Sequence, residues 1–332
     1  MKPAITNNTG VSLAMAVWAV NDDYDYSKIE NYISATSLMK PLRQVVLRAR
    51  IDWNQQEPED VVDHLPRALG SSIHDSIEKA WVKNYAINLA KLGYPKSVID
   101  RVYVNPTPET ILPPDAIPVY VEQRAMRQLT VLGKVWNIGG KFDMVSEGIV
   151  QDFKTTSAYT WVYGGRDDEH QLQGSIYQWL NPDKITEDII RINYLFTDWQ
   201  KFQARQNPNY PQHRVEFKDI PLLGHAQTEA WLVDKLTKVM HYWNAQEKDI
   251  PYCSDEELWM SDPVHKYYAK PETAQAGGRC TKKFEDLSAA RAHMASKGGA
   301  GIIITDRGSP KRCAYCDVFS LCTQKDQYDL EV

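Results

Sequence analysis

In the segment 139–154, GGKFDMVSEGIVQDFK, two aspartates and a lysine stand at intervals that matter chemically. If Glu147 and Gly148 form a two-residue hairpin turn, Ser146 pairs with Ile149, and counting outward places Asp143 opposite Asp152. Directly opposed side chains sit about 5 Å apart at Cβ. Lys154, two residues past Asp152, projects from the same face. Two ionised carboxylates that close repel each other unless a divalent cation lies between them. Mg2+ or Mn2+ held by two carboxylates keeps positions open for water and a phosphate oxygen, and a neighbouring ammonium can steady charge developing on the phosphodiester. This is equipment for phosphodiester hydrolysis. A D-x-K in a strand is, by itself, more often a solvated surface feature; the opposed second aspartate and the small Gly139 and Gly140 beside it single this hairpin out.

These residues need a sheet with helices packed on it. Period-two alternation predicts strands over 119–122, 131–137, 141–145, 149–154, 189–196 and 214–217. Helical spacing of apolar residues predicts helices over 69–92, 166–180 and 227–246, and a helix opened by the capping cluster at Ser34 running to Arg50. Residues 54–66 read as a polar loop, and 104–118, with five prolines, as an excursion. The order describes a mixed α/β core, a central sheet flanked by helices, over residues 1–250. The tail, 251–332, carries every cysteine. It predicts a strand over 280–284, a helix over 288–297 and a strand over 301–305.

The surroundings of the hairpin add four residues in a fixed order. GSSIHDSIE brings His74 near the start of a helix; Asp143 follows, then Asp152-Phe153-Lys154, then Gln173 and Tyr177 in QGSIY. This order resembles the PD-(D/E)XK nuclease superfamily, in its RecB-like, phage-exonuclease branch, over about residue 34 to the C-terminus. The resemblance implies a restriction-endonuclease-like core. It implies that His74, Asp143 and Asp152, with the backbone carbonyl of Phe153, hold Mg2+ or Mn2+. Lys154 would assist the attacking water, and Gln173 and Tyr177 would position the substrate. Glu78, one turn beyond His74, is a candidate acceptor for its ring, and Glu122 a candidate further ligand. Each of these, taken singly, also reads as core packing or a surface charge. The loop YTWVYGGR, 159–166, offers Tyr163 and Arg166 for DNA, with Trp161 either stacking on a base or closing the core. Arg43, Arg48, Arg50, Arg124, Arg127, Lys201 and Arg205 are candidate phosphate contacts.

Cys313, Cys316 and Cys322 form C-x2-C-x5-C, a spacing that points to a metal in a reducing compartment rather than to disulfides. It resembles the C-terminal part of the iron–sulfur clasp of RecB-like nucleases, which implies a 4Fe–4S cluster; four thiolates fit Zn2+ as well. In much of that group the fourth cysteine lies upstream of the nuclease motifs, but here none precedes position 253. The fourth ligand is therefore Cys253, at the junction of core and tail, or Cys280, which a buried strand position also explains.

A net charge of −5 is acidic for a nucleic-acid binder, so basic residues must be local to a groove. No apolar run approaches the roughly 20 residues of a membrane span. The apolar run 11–20 imitates a signal-peptide core, but acidic residues from Asp22 to Asp25 follow it. The resemblance implies a cytoplasmic DNA exonuclease or end-processing enzyme, acting in the host cytoplasm if phage-encoded. Its partners would be linear duplex or single-stranded ends, a recombinase, single-strand-binding protein or helicase, and further copies of itself. The rival readings are a silent DNA- or partner-binding protein on the same fold and a metal- or redox-sensing protein.

Overall fold

The computed structural model describes residues 4–22, 29–53, 56–164 and 166–328. Asp23, Asp25, Asn54, Gln55 and Gly165, which figured in the readings above, lie outside them. In chain order the described elements begin β1 (Ile5–Thr6), α1 (Leu13–Ala19), β2 (Tyr32–Ser34), α2 (Ala35–Leu38), α3 (Leu42–Arg48) and β3 (Glu59–Asp60). Then follow α4 (Val61–Lys91), α5 (Lys96–Ile99), β4 (Val102–Val104), β5 (Ile117–Val131), β6 (Lys134–Ser146) and β7 (Ile149–Thr156). Next come α6 (Ala158–Tyr163), α7 (Asp167–Leu180), β8 (Ile189–Phe196), α8 (Lys201–Gln206), β9 (Val215–Pro221) and α9 (His225–Tyr242). The tail holds β10 (Val264–Tyr268), α10 (Pro271–Gln275), β11 (Lys282–Phe284), α11 (Leu287–Ser296) and β12 (Ile302–Asp306).

The chain divides into two compact units. One comprises Met1–Lys40 and Asp52–Lys238, the other Pro41–Ile51 and Val239–Val332. The tail unit thus begins earlier than residue 251 and takes in α3. Its reason is burial: Val46 and Leu47 of α3 are 0% and 1% exposed, and Arg43 donates to the carbonyl of Ile250 at 2.7 Å. A seven-residue helix carries no local signal of its distant partner. Pro41 also breaks the single helix expected from Ser34 to Arg50, because a residue before proline avoids the helical region. Ser34 does cap α2, accepting the N–H of Ser37 at 3.2 Å.

The first unit is mixed α/β, with a seven-stranded mixed sheet flanked by helices. Strands run β4-β5-β6-β7-β8-β9, and β2 adds to β6 in parallel. The β5–β6, β6–β7 and β8–β9 pairs are antiparallel; β4–β5 and β7–β8 are parallel. The β7-α6-α7-β8 connection is the crossover that a parallel pair requires. In the expected hairpin, Glu147 and Gly148 both have positive φ, 52° and 76°, and Ser146 pairs with Ile149. A second such turn, Leu132-Gly133, joins β5 to β6 and extends β5 across residues 123–130, which alternation had left unassigned. Most of those residues are polar or exposed, so no clear apolar period marks them.

Helix α4 begins at Val61 rather than 69. Asp60 caps it by accepting the N–H of Val62 at 3.2 Å, and Asp63 closes a capping box. Pro66 lies inside, near enough to the start that few backbone bonds are lost. Trp81, Tyr85 and Leu89 of α4 pack on Val102, Val119, Val121 and Met144 of the sheet. His74 stands seven residues before Trp81, on the same helix face. Hydrogen bonds from Thr9, Val62 and Asn8 hold the Asp60 carboxyl down, at about 2. Such a depressed group stabilises the fold above the unfolded carboxylate value and loses that contribution as pH falls toward 2. Asp60→Ala should therefore lower the melting temperature at pH 7, with the gap between variant and wild type narrowing by pH 3; an equal gap at both pH values would show that the cap's charge is irrelevant.

In the second unit, β10 sits between β11 and β12 in an antiparallel sheet covered by α11. Strands and helix fall where alternation placed them, within two residues; β10, the central strand, carried no sequence expectation. Among the described residues no helix is long and apolar enough to cross a membrane.

Candidate metal centre

Three neighbouring strands bring a carboxylate to one step of the sheet. Pairing runs Val121 with Met144 and Gln123 with Phe142, which places Glu122 across from Asp143. Pairing of Met144 with Gln151 places Asp152 across from Asp143 on the other side. The named backbone pairs break off at both steps. Instead of completing the ladder, the N–H of Phe153 donates to Asp143 Oδ2 at 2.9 Å. Glu122 has φ 53°, a left-handed conformation that costs a non-glycine residue about 1–2 kcal/mol. The left-handed residue interrupts the pleat, and the Glu122 carboxylate reaches the helix α4 side chain His74. Asn105 supports this bend: its side chain donates to the carbonyl of Val121 at 3.2 Å and accepts the Val121 N–H at 2.7 Å. No sequence feature marked Asn105.

His74 Nε2 lies 3.0 Å from the carbonyl oxygen of Phe153. A carbonyl only accepts, so Nε2 carries the proton, and Nδ1 is the nitrogen turned toward the carboxylates. Nδ1 is 3.6 Å from Glu122 Oε1 and 3.5 Å from Asp143 Oδ2. One ligand atom from each of His74, Glu122 and Asp143 lies within 4.8 Å of the other two. A divalent ion fits a set of one imidazole nitrogen and two carboxylates. The Phe153 carbonyl, expected to face a metal, takes the His74 N–H, the place considered for Glu78. Glu122, a candidate further ligand from the sequence, is in the triad.

Asp152 is 2% exposed and is engaged beside the triad. Its Oδ1 accepts from Gln173 Nε2 at 3.0 Å, and that same amide donates to the Tyr177 hydroxyl at 3.2 Å. Its Oδ2 is ion-paired with Lys154 Nζ at 2.7 Å. Gly139 and Gly140 owe their size to the site's walls. A Cβ at Gly139 would lie 2.4 Å from the ring of Tyr32, and one at Gly140 would lie 2.9 Å from the ring of Tyr177.

The charges in this cluster perturb one another as a metal site does. Burial, then the facing charge of Asp152, pushes the Asp143 carboxyl up to about 7. A hydrogen bond to Glu122 raises His74, against burial, to about 9. Burial works against the Lys154 ammonium, but the charge and hydrogen bond of Asp152 outweigh it and raise its pKa. Lys154 thus stays cationic at neutral pH. Lys141 pairs with Glu122 at the triad's rim. His170, which the sequence reading passed over, is buried beside Tyr194, and burial and Lys154 hold its pKa below the usual histidine value. A groove of about 560 Å3 opens onto His74, Glu122, Asp143, Lys141 and Tyr177.

The remaining candidates separate. Trp161 stands edge-on to Tyr194 and Phe196, at 5.7 and 5.9 Å, whereas Tyr163 is 69% exposed against Tyr159. Arg166 is exposed at the start of α7, and Arg124 donates to the Tyr32 hydroxyl at 3.5 Å. Arg43 is not available to DNA. It is 1% exposed, ion-pairs with Glu247 and donates from Nε to Cys322 Sγ at 3.1 Å. Arg48 ion-pairs with Asp317, and Arg50 donates to the carbonyls of Tyr242 and Trp243. A guanidinium with five donors can satisfy chain carbonyls inside a protein, and sequence spacing does not tell that use from phosphate binding.

In the second unit Cys253, Cys313, Cys316 and Cys322 line one cavity, and Cys280 does not. The Gln324 side chain clamps Cys253 by accepting its N–H at 2.8 Å and donating to its carbonyl at 2.9 Å. Burial, the Glu257 charge and the other thiols push Cys253 up to about 12, and burial raises Cys313. Among the described residues no three of these sulfurs come within 4.8 Å of one another.

No protein-family model matches the chain, and no curated relative matches it. Among solved structures it is similar to the crystal structure of SSO0001, with 18% identity over 68% of this chain and 84% of that one and a TM-score of 0.42. At that level the geometry of the site itself bears on function.

Proposed function

We propose that the first unit is a divalent-metal-dependent deoxyribonuclease built on a PD-(D/E)XK core, acting on linear DNA ends in recombination or DNA processing. The observation that carries this reading is the convergence of His74, Glu122 and Asp143 within 4.8 Å, with the buried Asp152 and the cationic Lys154 at its edge. His74 Nδ1, Glu122 and Asp143 would hold Mg2+ or Mn2+, with the buried carboxylate of Asp152 beside them. When bound, such an ion activates water and neutralises phosphodiester charge. The protein's own residues do the rest. Phe153, through its carbonyl, fixes the tautomer of His74. Gln173 holds Asp152 in place, and Tyr177 holds Gln173. The Lys154 ammonium sits where it can stabilise charge on a phosphate oxygen. In the second unit, the four thiols that line one cavity support a 4Fe–4S cluster, with Zn2+ as the alternative.

End-labelled linear DNA and a covalently closed circle, incubated with Mg2+ or Mn2+, test the reading. Loss of the linear substrate with the circle spared is expected, and the label gives polarity. Cutting of the circle would make the enzyme an endonuclease. No cleavage of either with any divalent ion would refute the activity and leave a DNA- or partner-binding protein on this fold.

A further inference from the structure

A second cavity lies in the first unit, beside the site but outside the triad. It measures about 250 Å3 and is lined by Thr160, Trp161, Arg166, Asp167, Tyr194 and Lys218. Its place follows from strand register. Tyr194 of β8 pairs with Lys154 of β7, and neighbouring strands lie about 4.8 Å apart. The cavity therefore opens one strand away from the lysine that meets Asp152. Arg166 is among the residues that line it.

The lining is selective. Trp161 and Tyr194 give two aromatic walls set edge to face at 5.7 Å, and Phe196 stacks behind Tyr194. Thr160, Asp167 and Lys218 supply a hydroxyl, a carboxylate and an ammonium, the last two paired with each other. A free phosphate suits this lining poorly, because the first turn of α7 carries Asp167, Asp168 and Glu169. A flat heterocycle with hydrogen-bonding edges suits it well, since aromatic walls accept any π-face and the carboxylate accepts from ring or exocyclic N–H. The backbone phosphate of such a nucleotide would stay outside, toward Arg166.

We propose that this pocket receives one unpaired nucleobase of the strand being cut, next to the scissile bond. The proposal rests on the nuclease reading and makes it more specific: the substrate must present an unpaired base, as a single strand or a frayed end does.

A single-stranded oligonucleotide carrying one 2-aminopurine, moved stepwise along the strand, tests this in metal-free buffer, where no cleavage intervenes. We expect quenching of its fluorescence at one position on binding. An abasic residue at that position should weaken binding on the order of tenfold, and so should Trp161→Leu in the wild-type sequence context of the DNA. The two changes together should cost little more than either alone. Because Trp161 also packs on Phe196, Lys218→Ala, at a half-exposed residue, provides a second variant, expected to weaken binding and reduce the quench. Uniform fluorescence at every position, or unchanged affinity in both variants and with the abasic strand, overturns the pocket. Degradation of linear DNA with Mn2+ by the same preparation is read separately. If it persists while the quench is absent, only the base pocket fails; if it is absent while the quench persists, the pocket stands and the nuclease reading fails.

Discussion

Asp143→Asn is expected to abolish divalent-ion binding and DNA hydrolysis together, lowering kcat by about a thousandfold or more, while making the metal-free protein more heat-stable at pH 8. Both effects come from one carboxylate. Asp143 stands between Glu122 and Asp152 on adjacent strands, and burial with the Asp152 charge lifts it to about 7. A carboxyl raised in the fold is penalised when ionised, so it subtracts stability as pH rises from the unfolded value near 4 to about 7. Removing its charge returns that stability, on the order of a few kcal/mol, above pH 7, and returns nothing below pH 4. A cation should do for wild type what asparagine does for the variant: Mn2+ raises the melting temperature of wild type at pH 8 and leaves Asp143→Asn unmoved. The ion must also displace protons. At pH 7 His74, at about 9, is protonated, and Asp143, at about 7, is half so; metal binding then releases between about one and two protons. Calorimetric titration in two buffers of different ionisation enthalpy counts them. A variant that still binds the ion, or melts below wild type at pH 8, removes Asp143 from the centre of the site.

How far the site could be read from the chain depends on which contacts are local. The β6–β7 hairpin was legible because a turn with two positive φ angles fixes register, and register alone places Asp143 beside Asp152. Helix α7 was legible too, and with it the spacing that stacks Gln173 under Tyr177. Glu122 was only a candidate further ligand: register sets it across from Asp143, but its left-handed backbone rests on Asn105, seventeen residues upstream, and no local pattern marks that support. Asp152, expected as a ligand, is drawn instead to Lys154 and Gln173 by charge and burial. Arg43 shows the limit most plainly. A basic helix face reads as a phosphate site from sequence, yet its partners are Glu247, Ile250 and Cys322, more than two hundred residues away. No local pattern encodes such a pairing.

The same long-range closure predicts which cysteines matter. Cys253→Ser should release the metal of the second unit and remove that unit's melting transition, whereas Cys280→Ser should leave both unchanged. Cys253 lines the cavity with Cys313, Cys316 and Cys322, and Cys280 does not. The effect should be large because a group that binds only the folded state adds its binding energy to folding. It would add to the Gln324 clamp on Cys253 and the Arg43 bonds to Cys322 and Ile250, which tie the same segments. Without a metal, Cys253 and Cys313, whose pKa values burial raises, are neutral groups that contribute little; a bound cation would turn the thiols into thiolate ligands. Elemental analysis of the purified chain decides the group: about four irons with as much acid-labile sulfide for a cubane cluster, one zinc otherwise. Full metal content in Cys253→Ser, with loss in Cys280→Ser, would exchange the fourth ligand and with it the account of what closes the tail.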